Sequence, residues 1–111
     1  MQATLINVIA YLPFVQNSNV ATSYFKIPTR LDAYLKNSAF LADINNENEV
    51  NADYVTAIEA LEKFVMVMWS RDTRVFPKTS GFWETFQANS FTDLEAFTDS
   101  RQYTENLLAK N

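Results

Sequence analysis

The sequence predicts an all-α protein, a compact bundle of five or six helices in a single domain spanning residues 1–111. Three observations carry this reading. Apolar residues recur at spacings of three and four through most of the chain. One glycine in 111 residues leaves little for the tight turns of a sheet built from hairpins. A hydrophobic content of 48% with 14% aromatics can fill a core without disulfide or metal.

The elements follow in order. Ala3 to Tyr11 is apolar too densely for strand alternation (Leu5, Ile6, Val8, Ile9) and reads as a helix that Pro13 ends or kinks. The segment QNSNVATSYFKIP is polar and then roughly alternating, which suggests a loop with one short extended segment near residues 20–27. Thr29 suits a helix start, with Asp32 favouring the positive helix end. Leu31, Tyr34, Leu35 and Leu41 then trace one stripe. Asparagines compete for their own backbone, so NNENEVN stops that helix and Asn51 caps the next. From Ala52 to about Trp69 the positions Tyr54, Ile58, Leu61, Val65 and Met68 give the clearest helical spacing. Ser80 can cap a short helix carrying Phe82, Trp83 and Phe86. TDLE, Thr92 to Glu95, matches the capping box and predicts a helix burying Leu94 and Phe97. Residues 98–102 are polar, and the chain there kinks or restarts at Ser100 before Tyr103, Leu107 and Leu108.

Composition removes much chemistry. The chain has no cysteine and no histidine, so it lacks thiolate nucleophiles, Cys-ligated zinc and the usual general base near neutral pH. A single glycine excludes glycine-rich phosphate loops. Glu59 with Glu62, and Glu95 with Asp99, share helix faces, but a di-iron pattern needs histidine. The acidic loop from Asp43 to Asp53 lacks the spacing and glycine of a calcium loop. No metal or other cofactor is expected, and the chain reads as a non-enzyme. The net charge of −4 argues against a nucleic-acid binder and falls short of the acidic load of a DNA mimic. No basic residue precedes the N-terminal apolar run and no small-residue cleavage site follows it, which argues against a secretory leader. No run approaches a membrane span. A cytoplasmic protein without membrane contact is expected.

One stretch breaks the pattern: RDTRVFPKTSGFW, residues 71–83. It holds the only glycine, Gly81, and lies in a region, residues 63–78, with a net +3 against −7 for the rest. It reads as a corner between two helices, either that alone or one that doubles as a contact surface, because arginine beside large aromatics buries much area at low entropic cost. Arg71, Arg74, Phe76, Lys78 and Trp83 are the candidate partner-binding residues. The function expected is therefore a small interaction protein, an inhibitor, immunity or accessory factor, whose protein partner is acidic where it touches. The alternative is a helical bundle that holds a small apolar ligand in a core pocket lined by Phe64, Met66, Met68, Trp69 and Phe82.

Overall fold

The structure, a computed structural model, describes residues 8–108. The helix expected over Ala3 to Tyr11 lies largely outside them; Val8 and Ile9 are helical. Six α-helices follow: α1 Pro13–Ser18, α2 Val20–Ser23, α3 Leu31–Asn37, α4 Leu41–Ile44, α5 Ala52–Glu59 and α6 Arg101–Thr104. Single 3₁₀ turns occupy Pro28–Arg30, Lys78–Phe82 and Phe97–Asp99. The fold is helix-rich, as the periodicity indicates, but not purely all-α. Strands β1 (Thr85–Phe86) and β2 (Leu94–Glu95) pair antiparallel, Thr85 opposite Glu95 and Phe86 opposite Leu94.

Several local expectations change. Residues 20–27 hold no strand: Val20–Ser23 is helical, because Asn19 accepts from the Ala21 amide and caps it. Helix α5 begins under its Asn51 cap as expected, with the side chain accepting from the Asp53 amide at 2.9 Å, but it ends at Glu59. Residues 63–69 continue without helical turns, so the expected helix to Trp69 is cut short. The cause is the continuous run FVMVMW, whose spacing fits a helix only by being apolar at every position. Thr92 caps no helix either. Ser90 Oγ accepts from the amides of Thr92 and Asp93 at 3.1 and 2.9 Å, and the Gln87 amide donates to the Asp93 carbonyl at 2.9 Å. Those bonds close a hairpin, with Asn89 in the left-handed region at φ 62°, and so Leu94 and Glu95 become strand. The restart at Ser100 is present: its Oγ accepts from the Tyr103 amide at 3.3 Å and caps α6.

The core sits between the N-terminal helices. Ala10, Tyr11, Ile27, Tyr34 and Ala42 are buried together, with Phe25, Ala33 and Leu41 packed on them. Tyr11 and Tyr34 meet edge to face at 6.1 Å. Their hydroxyls are both satisfied, as burial requires. Tyr11 donates to the Phe25 carbonyl and accepts from the Ile27 amide, at 2.9 and 2.8 Å. Tyr34 donates to Glu47 Oε2, and Lys26 Nζ donates to Glu47 Oε1. Gln16, also buried, ties α1 to the rest: Nε2 donates to the carbonyls of Ala10 and Thr22, and Oε1 accepts from the Ala39 amide. This knot of polar groups fixes the chain from Phe25 to Pro28, which forms one wall of the groove described next.

Candidate functional site

Between that wall and the second half of the chain runs a groove of about 710 Å³, within the size range of small-molecule sites. Tyr24, Phe25 and Ile27 line one side. Phe76, Trp83, Phe86, Phe91 and Phe97 line the other. The rings of the aromatic side pack in two groups. Phe86 lies 5.0 Å from Phe76 and 6.1 Å from Phe91, centroid to centroid. Trp83 lies 5.7 Å from Phe97, which in turn meets Tyr103 edge to face at 5.3 Å.

Local structure explains how these rings converge. The β1–β2 hairpin places Phe86 and Phe91 side by side. The turn at residues 69–75 is built by Asp72, whose Oδ1 accepts from the amides of Arg74 and Val75 at 2.7 and 3.0 Å. Those two bonds hold the Asp72 carboxyl below the usual carboxylate range. Phe76–Pro77 is a cis peptide bond, and the 3₁₀ turn Lys78–Phe82 ends on Trp83, which takes a left-handed φ of 67°. Gly81 lies against the backbone of Val67 and Met68, where an added Cβ would stand 3.2 Å from the Val67 carbonyl oxygen. The stretch 71–83 is therefore a corner, but not one between two helices: it joins the non-helical run 63–69 to a 3₁₀ turn and a strand.

Its five candidate residues separate. Arg74, Phe76 and Trp83 border the groove. Arg71 faces a shallower hollow formed by Trp69 to Arg74. Lys78 straps the turn, its Nζ donating to the Ser70 carbonyl at 2.9 Å. The alternative pocket of Phe64, Met66, Met68, Trp69 and Phe82 does not form: none of the five lines the groove, and Phe64, Met66, Trp69 and Phe82 are exposed. Sequence reasoning missed Tyr24, Phe25, Ile27, Phe86, Phe91 and Phe97 as groove residues. Their only common signal is an aromatic density that a core explains equally well.

Chemically the groove is mainly apolar. Its polar lining consists of Lys26, already paired with Glu47, together with Asn45, Arg74, Glu84, Gln102 and a few hydroxyls. Ser100 is buried, and its Oγ is committed to the Phe97 carbonyl at 2.6 Å.

A model of the palmitoyl protein thioesterase family matches residues 1–109. The chain belongs to the palmitoyl protein thioesterase family. It is 36% identical over 101 residues to palmitoyl-protein thioesterase 1 of Caenorhabditis elegans, covering 91% of this chain and 34% of that protein. It is 33% identical over 105 residues to palmitoyl-protein thioesterase 3 of Dictyostelium discoideum, covering 94% and 36% respectively. The chain thus spans about a third of the length of the curated relatives it matches. Membership overturns three expectations together. A family and relatives named for a thioesterase replace the inhibitor or accessory factor, the non-enzyme reading and the acidic protein partner. The absence of histidine and cysteine removes particular side-chain chemistries from these 111 residues but does not exclude membership of a family named for a thioesterase. Among the described residues no helix is long and apolar enough to cross a membrane.

Proposed function

We propose that this chain forms the acyl-chain-binding part of a thioesterase that hydrolyses long-chain acyl thioesters on protein cysteines. The supporting observation is the groove: an aromatic-lined channel open to solvent, in a chain whose relatives are named palmitoyl-protein thioesterases. In the reaction, water adds across the thioester carbonyl, and the products are a fatty acid and a free cysteine thiol. A long saturated chain offers nothing to hydrogen-bond, so its recognition rests on removing methylenes from water, at about 0.8 kcal/mol for each one buried. The rings flanking Phe86 provide that surface. With neither imidazole nor thiol among the 111 residues, the role assigned to them is to bind and orient the acyl chain, which places the thioester carbonyl for attack.

The test compares thiol release from an S-palmitoyl peptide and from its S-acetyl counterpart, using the full polypeptide. Phe76→Ser and Phe91→Ser remove rings on either side of Phe86 at positions already 76% and 46% exposed, so the fold should stand. Each is expected to raise KM for the palmitoyl peptide about tenfold, from roughly 1.4 kcal/mol of lost burial, and to leave the acetyl peptide unchanged. Equal effects on both peptides, or no hydrolysis by the wild type, would defeat the proposal.

A further inference from the structure

The first 25 residues of the chain contain no Asp, Glu, Lys or Arg; the first charged side chain is Lys26, although charged residues are 20% of the whole. The described part of that stretch is folded, not loose. Helices α1 and α2 form a hairpin joined by Asn19 alone. Its inner side is fixed by buried Gln16, Thr22 and Ser23, with Thr22 Oγ1 bonded to the Val15 and Asn19 carbonyls at 3.1 and 2.7 Å. The opposite side carries Leu12, Phe14 and Val20, which are 50%, 80% and 76% exposed. A folded, uncharged hairpin that buries Gln16, Thr22 and Ser23 and exposes Leu12, Phe14 and Val20 beside the neutral Asn17, Ser18 and Asn19 has the character of a surface that meets uncharged lipid.

The same hairpin adjoins the groove. Ala21 of α2 and Tyr24 just after it are lining residues, and Tyr24 is 57% exposed with its ring 5.2 Å from Phe40. A tyrosine at the edge of an apolar patch suits the boundary between headgroups and acyl chains. We infer that the α1–α2 hairpin docks on an uncharged lipid surface through Leu12, Phe14 and Val20, so that an acyl chain leaving the lipid enters the groove beside Tyr24. The choice of lipid as occupant rests on the thioesterase reading. The charge pattern selects the kind of lipid: a hairpin without cations on a chain of net charge −4 gains nothing from anionic headgroups and is repelled by them.

The experiment is flotation of the full polypeptide with phosphatidylcholine vesicles, comparing wild type with the Phe14→Ser, Val20→Ser double variant. The expected result is vesicle partition by the wild type that does not weaken between 0.05 and 1 M salt, is no stronger with added phosphatidylserine, and falls about tenfold or more in the variant. Melting temperature should not move, because both side chains are already in water. Equal partition of the two proteins overturns the inference, as does partition that needs phosphatidylserine and is lost in salt. A wild type that stays off vesicles and sediments as a dimer, with the variant monomeric, also overturns it and assigns the face to a second copy. Hydrolysis of a soluble S-palmitoyl peptide, measured without vesicles, separates the two readings. If partition is found and hydrolysis is not, the catalytic reading falls and the docking assignment stands.

Discussion

At the scale of single residues, Tyr34 shows what the core demands. Its side chain is fully buried, and its hydroxyl donates to the Glu47 carboxylate, which also holds Lys26. Burial first, and the adjacent Glu47 charge second, push the Tyr34 phenol well above its ordinary value of 10.0. A group whose pKa is raised by folding stabilises the fold fully below its unfolded pKa, and that contribution is lost as pH rises beyond about 10. Tyr34→Phe keeps the ring and removes the donor to a buried carboxylate, so it should cost about 2 kcal/mol near neutral pH. Thermal melts of both proteins between pH 8 and 11 check this: the wild type's advantage should hold to about pH 10 and shrink above it. A gap that stays constant across the range would contradict the assignment.

At the scale of elements, the connection from α4 to α5 is organised by one side chain. Asn46 is fully buried and takes a left-handed φ of 52°, a conformation asparagine tolerates better than other side-chain-bearing residues. Its Nδ2 donates to the carbonyls of Asn51 and Leu107 at 3.2 and 2.8 Å, and its Oδ1 accepts from the Asn51 amide at 2.8 Å. The loop between two helices is thereby pinned to the other end of the described chain. Asn46→Ala should lose those bonds, leave buried backbone groups unpaired and strain the backbone, for about 3 kcal/mol or more. Asn46→Gly should cost less, because it relieves the φ strain while losing the same bonds. The order of the two melting temperatures, glycine above alanine, is the measurement that decides.

The whole molecule is less covered than its mass would suggest. Its accessible surface is 8098 Å², against roughly 6,300 Å² expected for a folded monomer of its size. Exposed apolar side chains are concentrated in residues 61–69, where Leu61, Phe64, Val65, Met66, Val67 and Trp69 are all exposed. Among the described residues, 62–68 make no backbone hydrogen bonds. A run that is apolar at successive positions reads as a strand buried on both faces, and here all of its side chains but the half-buried Met68 are exposed. The 111-residue chain on its own should therefore bind an apolar reporter dye and associate as concentration rises. Val65→Lys with Val67→Lys should reduce both effects while shifting the melting temperature little, as both positions are already 78% and 66% exposed. Sedimentation across a concentration series checks this, and a chain that remains monomeric and dye-free would refute it.

By itself the sequence determined what local chemistry determines. The caps at Asn51 and Ser100, the turn at the asparagine run and the helix-rich character were legible because neighbouring residues settle them through their own hydrogen bonds. Phe76 and Trp83 were legible as a place to look, since an aromatic and basic corner departs from its surroundings. Tertiary structure decided the rest. Whether FVMVMW coils or runs open depends on what covers it, and an apolar run carries no period to choose between them. Whether Thr92 caps a helix or follows a hairpin turn depends on Phe86 lying opposite Leu94, eight residues away. The groove exists because Tyr24, Phe25 and Ile27 are held against rings sixty residues later by the buried Tyr34–Glu47–Lys26 network. No spacing along a chain records which distant aromatics will face each other across a space left unfilled.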